Sequence, residues 1–178
     1  MVAIHTDPQA REDTIKTAVL GILAAIGEDP TREGLLETPR RVAKAYRELF
    51  SGYGQSPAAI LSKTFPAEKP GPVTVRGIEF YSMCEHHMLP FFGTVDIEYL
   101  PIGRVVGLSK LPRLVECFAR RLQIQEQLTQ QIAACIQATL ACEYVRVTVR
   151  AEHMCMKMRG VRSQNSTTET VYDTRDLG

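Results

Sequence analysis

The stretch "YVRVTVRAEHMCM", residues 144–156, alternates without a break: Val145, Val147, Val149 and Ala151 fall on one side, Arg146, Thr148, Arg150 and Glu152 on the other. A period of two marks a strand with one buried and one polar face, and β-branched residues favour it. Such strands belong in an antiparallel sheet covered on one face only. The run closes on His153 and Cys155, two residues apart. Continued alternation would project both from the same face at the strand's end.

Two upstream segments read in the same way. "VTVRGIEFYS" (73–82) and "FFGTVDIEYLP" (91–101) carry β-branched and aromatic residues bounded by glycine and proline, and "RVVGL" (104–108) reads as a short third strand. Helical patterns separate these from the last strand. Ser109 is expected to cap a helix that turns Leu111, Leu114, Val115 and Phe118 inward. A longer helix, from about 125 to 141, repeats Ile124, Leu128, Ile132, Ile136 and Leu140 every four residues.

The N-terminal third is helical in pattern. Residues 11–26 place Ile15, Ala18, Val19, Ile22, Leu23 and Ile26 at helical spacing, with Gly27 as a stop. Thr38-Pro39 predicts an N-cap with proline at the first helical position, and Val42, Tyr46, Leu49 and Phe50 then share a face. The proline-rich run "GQSPAAILSKTFPAEKPGP" (54–72) reads as a connection. The division that follows is a helical segment over 1–53, a connecting segment over 54–72 and a body over 73–178. The order of helices and strands indicates an α+β fold with a mainly antiparallel sheet.

Bulk composition narrows the function classes. A net charge of +1 provides no global field for nucleic acid or an anionic membrane, so anions must be met by local clusters. The opening "MVAIHTDPQARED" lacks an apolar run of signal-peptide length, and no later run approaches a membrane span, which leads to an expected cytoplasmic location. Five scattered cysteines suit a reducing compartment, as core residues or metal ligands.

Histidine is scarce but clustered. Of four, His5 lies in an expected N-terminal arm, and the other three sit beside cysteines: His86 and His87 in "YSMCEHHMLPFFG" (81–93), His153 in "AEHMCMKMRG" (151–160). Cys84 and His87, three apart, suit two ligands converging from one turn, with His86 pointing elsewhere. Together with Cys155 they would form a three-ligand zinc site with one open position, as catalytic zinc requires. The competing reading, a satisfied core histidine near unrelated cysteines, has about equal weight from spacing alone. Cys117, Cys135 and Cys142 read as core fillers within or at the ends of helices. Lys110 and Arg113, in the first turns after Ser109, and Arg159, four residues after Cys155, would form a phosphate pocket if they converge; singly they read as surface charge. Gln125 and Glu126 could read a polar heterocycle or be ordinary helix-entry residues.

Several long motifs in order, "SMCEHHMLPFFG", "GLSKLPRLVECFARRLQIQEQLTQQI" and "HMCMKMRGV", resemble GTP cyclohydrolase I of the zinc-dependent type, and "DPTREGLLETPRRVAKAYRELFSGY" resembles that family's helical N-terminal segment. The resemblance runs from about Asp29 to about Thr170. It implies zinc on Cys84, His87 and Cys155, acid/base roles for His86 and His153, and guanine recognition by Glu126 with Gln125. Triphosphate contacts would fall to Ser109, Lys110, Arg113 and Arg159. It also implies the tunnelling fold, in which an antiparallel sheet with two helices per subunit closes by oligomerisation into a barrel. The implied assembly is a homodecamer of two pentamers with sites at subunit interfaces. The implied reaction converts GTP and water to formate and 7,8-dihydroneopterin triphosphate, the entry to folate and pterin synthesis, without a redox cofactor.

Three features depart from the family pattern: Gln127 in place of arginine, Asp96 in place of a common histidine, and a short C-terminus. Two rivals stay open at this point. One is a related enzyme of secondary metabolism that stops at the formamide stage or accepts a modified purine nucleotide. The other is a silent zinc protein that binds a pterin or nucleotide. Retention of both His86 and His153 speaks against silence, because a structural zinc needs neither.

Overall fold

A computed structural model describes residues 7–69 and 71–177, so His5 lies outside the described residues. The chain divides into two compact units, residues 1–49 and 50–178.

The first unit is a helix pair. α1 (Pro8–Ala25) begins at an N-cap, Asp7, whose carboxylate accepts the N–H groups of Gln9 and Ala10. α2 (Thr38–Leu49) is the second helix. Thr38 lies inside it rather than capping it. Only Val19 and Leu23 of α1 are buried, while Ile22 and Ile26, expected on the inner face, are 59% and 68% exposed. The cause is that α1 has one helical neighbour in its unit, so a single narrow stripe is covered. Ala43 and Pro39 are the buried residues of α2.

The second unit is α+β. Its main sheet has five strands in the order β5-β2-β3-β6-β7: β2 (Val73–Cys84), β3 (Pro90–Pro101), β5 (Leu122–Gln123), β6 (Cys142–His153) and β7 (Thr168–Asp173). All pairings are antiparallel except β2 with β5. α4 (Lys110–Ala119) and α5 (Gln125–Thr139) cover one face. Between sheet and helices lies a core of Phe91, Val95, Ile97, Tyr99, Leu114, Leu128, Ile132, Ile136, Val145, Val147 and Val149. Cys117 and Cys142 are buried and Cys135 is partly buried against that core. Burial pushes the Cys142 thiol up to about 11, which keeps it a neutral filler.

Three local readings change. The run 54–72 is more than a connection: it carries α3 (Pro57–Leu61) and β1 (Thr64–Pro66), and Leu61 is fully buried in the core. The short strand β4 (Arg104–Val106) pairs with β1 in a separate two-stranded sheet instead of joining the main one. Ser109 stands at the N-terminus of α4 with helical backbone angles and no side-chain capping bond, so its hydroxyl is not turned back onto the helix.

One close approach holds the sheet's centre. A Cβ on Gly93 would lie 1.9 Å from the carbonyl oxygen of Arg150, so only glycine lets β3 and β6 meet there. No helix among the described residues is long and apolar enough to cross a membrane.

Candidate metal and catalytic site

Strand directions bring the chemistry to one end of the sheet. β2 ends at Cys84, β6 ends at His153, and antiparallel β3 starts between them, with Phe91 directly opposite His153. β5 runs beside the end of β2, pairing Gln123 with Cys84, and Gln125 opens α5 two residues later.

The turn after β2 is closed by main-chain bonds. Cys84 N–H donates to the Leu89 carbonyl at 2.9 Å, Met88 N–H to the Cys84 carbonyl at 2.8 Å, and Glu85 N–H to the Gln123 carbonyl at 3.0 Å. The tight reversal puts Met88 at φ +52°, a region that non-glycine residues seldom occupy. It folds His87 back onto the cysteine, with Nδ1 3.8 Å from Cys84 Sγ.

Cys155 reaches the same place by a route that strand alternation does not describe. β6 stops at His153, and Cys155 sits on the single turn α6 (Met154–Lys157). The ligand atoms of Cys84, His87 and Cys155 all lie within 4.8 Å of one another. Tetrahedral zinc, with bonds of about 2.3 Å to sulfur and 2.0–2.1 Å to nitrogen, spaces its ligands about 3.6 Å apart, so the group fits the ion with little movement. Burial pushes up the Cys155 thiol, and the adjacent Cys84 sulfur pushes it further. Two sulfurs placed side by side with an imidazole nitrogen form a donor set that suits a divalent cation.

The other two histidines differ in setting. His86 is largely exposed, its Nδ1 4.0 Å from Cys84 Sγ and its Nε2 3.9 Å from Glu85. His153 is half-buried and stacked on Phe91, with ring centroids 4.7 Å apart. Burial holds its pKa below the ordinary imidazole range, against a smaller upward pull from Glu126. His153 Nε2 lies 2.7 Å from Gln125 Oε1.

Gln125 is 2% exposed, and its amide nitrogen faces three acceptors, Val149 O, Thr168 O and Thr170 Oγ1, among which its two protons are shared. Its polar atoms are engaged inside the chain, whereas Glu126 is exposed at the first turn of α5. No sequence signal separated the two, because the partners of Gln125 lie 24 to 45 residues away.

The basic residues form two groups. Arg159 Nη1 lies 3.4 Å from His87 Nε2, beside the metal-capable cluster. Ser109, Lys110 and Arg113 stand at the start of α4, where Arg113 borders a cavity with Glu79, Tyr81, Glu116 and Arg120. Among the described residues, no hydrogen bond or ion pair joins this second group to Cys84, His87 or Cys155.

The profile of the GTP cyclohydrolase I family matches residues 15–176. The GTP cyclohydrolase 1 of Brucella abortus (strain S19) is 53% identical over 176 residues, spanning 98% of this chain and 82% of the relative. That of Campylobacter lari is 54% identical over 160 residues, spanning 89% and 84%. Among solved structures, an archaeosine synthase of the QueF-Like type in the apo form aligns with a TM-score of 0.48 at 21% identity, over 60% of this chain and 95% of its own.

Proposed function

From the premise that the chain belongs to the GTP cyclohydrolase I family, we propose how its own residues carry that reaction. The enzyme is a GTP cyclohydrolase I, and the overall change is GTP plus water to formate and 7,8-dihydroneopterin triphosphate. The observation that supports the assignment of parts is the convergence of Cys84, His87 and Cys155 beside His153 at one end of the sheet.

In this reading Cys84, His87 and Cys155 hold a zinc ion, which when bound acts as a Lewis acid and lowers the pKa of water to about 7. Glu126, exposed at the entry of α5, accepts the paired N–H donors of the guanine edge. Lys110 and Arg113, with Ser109, bind the triphosphate together with Arg159. His86 and His153 move protons, at the departing purine nitrogen during ring opening and at the ribose during the later rearrangement. Histidine suits both steps, because its unperturbed pKa of about 6.5 makes either protonation state accessible near neutrality.

The sheet edges support an assembly whose sites are shared between subunits: β5 covers only Met83 and Cys84 of β2, and β7 ends the sheet on the other side. Closing such edges against neighbouring copies gives a barrel, and the assembly we propose is a homodecamer of two pentamers. The pathway is that of folate and pterin synthesis. Five free thiols suit a cytoplasmic, reducing setting.

The test is to incubate the protein with GTP and measure formate against the fluorescent pterin formed on oxidation. Equal amounts, both abolished by a zinc chelator and restored by zinc, are expected. Formate without pterin would replace this reading with an enzyme arrested after ring opening.

A further inference from the structure

We infer that Gln125 is a positioning residue that fixes the His153 ring in its Nε2–H form, leaving Nδ1 as the ring nitrogen not engaged by Gln125. The inference rests on the reading of His153 as an acid/base group. It gives Gln125 a role through the ring instead of a contact to guanine.

The hydrogen-bond directions follow from the partners. Two acceptors of the Gln125 amide are main-chain carbonyls, Val149 O and Thr168 O, each at 3.0 Å. A carbonyl cannot donate, so the amide atom facing them is the nitrogen, and the flip of the group is settled by its surroundings. The third partner, Thr170 Oγ1, is 3.2 Å away. Thr129 Oγ1 donates its only proton to the Gln125 main-chain carbonyl at 2.8 Å. At the 2.6 Å contact between the hydroxyls, Thr170 must then be the donor. That leaves the Thr170 oxygen free to accept, so the two amide protons of Gln125 are shared among three acceptors, Val149 O, Thr168 O and Thr170 Oγ1.

Gln125 Oε1 therefore faces His153, and an amide oxygen only accepts. At 2.7 Å the opposing Nε2 must carry hydrogen. The stack on Phe91, with planes within 3°, holds the ring in the plane this bond requires. Both Gln125 and Thr129 are buried, at 2% and 1% exposure, so water offers no alternative partner.

The consequence is directional: with Nε2 committed to the Gln125 oxygen, Nδ1 is the ring nitrogen left without a bond to Gln125.

Neutron diffraction from deuterium-exchanged crystals at a pH of about 8, above the ordinary imidazole range, reads the tautomer directly. Deuterium on Nε2 alone is expected. Deuterium on Nδ1, with or without Nε2, would overturn the inference. In Gln125→Leu the network loses its centre, and kcat should fall by about 10- to 100-fold with KM for GTP within about threefold. A raised KM with little change in kcat would instead make Gln125 a guanine contact. Should that variant fail to fold, the parent crystals still decide. His153→Ala with full turnover would remove the acid/base reading while leaving the tautomer to the diffraction result.

Discussion

Phe91 and His153 stack face to face across adjacent strands, directly opposite each other in the register of β3 and β6. Phe91 is fully buried, so the stack ties the reactive ring to the hydrophobic core. Phe91→Leu keeps most of the volume and should cost about 1–2 kcal/mol of stability, whereas Phe91→Ala should cost about 3–5 kcal/mol. Beyond that loss, Phe91→Leu should lower kcat, because the ring is freed to rotate. Denaturant melts and kcat measured on the same preparations check this. A leucine variant with parent kcat would show that the stack only packs the core.

The zinc assignment predicts about one ion per subunit and its loss with any one ligand. Cys155→Ser is the informative case, since α6 and not the strand presents that thiol. Metal analysis should show occupancy well below the parent's. Full occupancy would remove Cys155 from the ligand set.

Recognition of the triphosphate by Lys110, Arg113 and Arg159 predicts that each alanine variant weakens GTP binding by about 2–5 kcal/mol if the partner charge is left buried. Guanosine should bind far less tightly than GTP to the parent, and the variants should change guanosine affinity little. Calorimetric titration separates the two ligands. Equal parent affinity for GTP and guanosine would refute the phosphate assignment.

Asp96 has a structural task. Its carboxylate accepts the N–H of Gly77 at 2.8 Å, at a bulge where Gly77 takes φ +67°, and pairs with Arg150 at 2.8 Å. Burial alone would raise its pKa; the Gly77 N–H and Arg150 outweigh that and leave it lowered. A depressed carboxylate stabilises the fold above its unfolded value of about 3.9, and the contribution is lost as pH falls through the folded value. Asp96→Ala should cost about 1–3 kcal/mol at neutral pH. The gap between variant and parent should close on acidification below about pH 3.9. A gap that widened in acid would contradict this.

Much of the fold was legible because β6 advertises its period and its pleat. Burial of Val145, Val147 and Val149 follows the alternation, and Leu128, Ile132 and Ile136 follow the helical spacing of α5. Where periods are short, the reading failed. α3 has only five residues, too few to show a face, although its Leu61 is fully buried. β7 is polar enough to escape notice, and its Thr168 and Thr170 matter through bonds to α5. At the site, the grouping of Cys84, His87 and Cys155 was visible as spacing, yet the position of Cys155 depended on a helical turn where alternation foresaw strand. The burial of Gln125 was not legible, since nothing local distinguishes it from exposed Glu126.

The most direct test of the account is the turnover of zinc-loaded His153→Ala, with His86→Ala beside it. Both should retain zinc and bind GTP within a modest factor of the parent, yet lose about 10²- to 10⁴-fold in rate, the usual cost of removing a general acid or base. Pterin formation at the parent rate by both variants, with zinc in place, would contradict it.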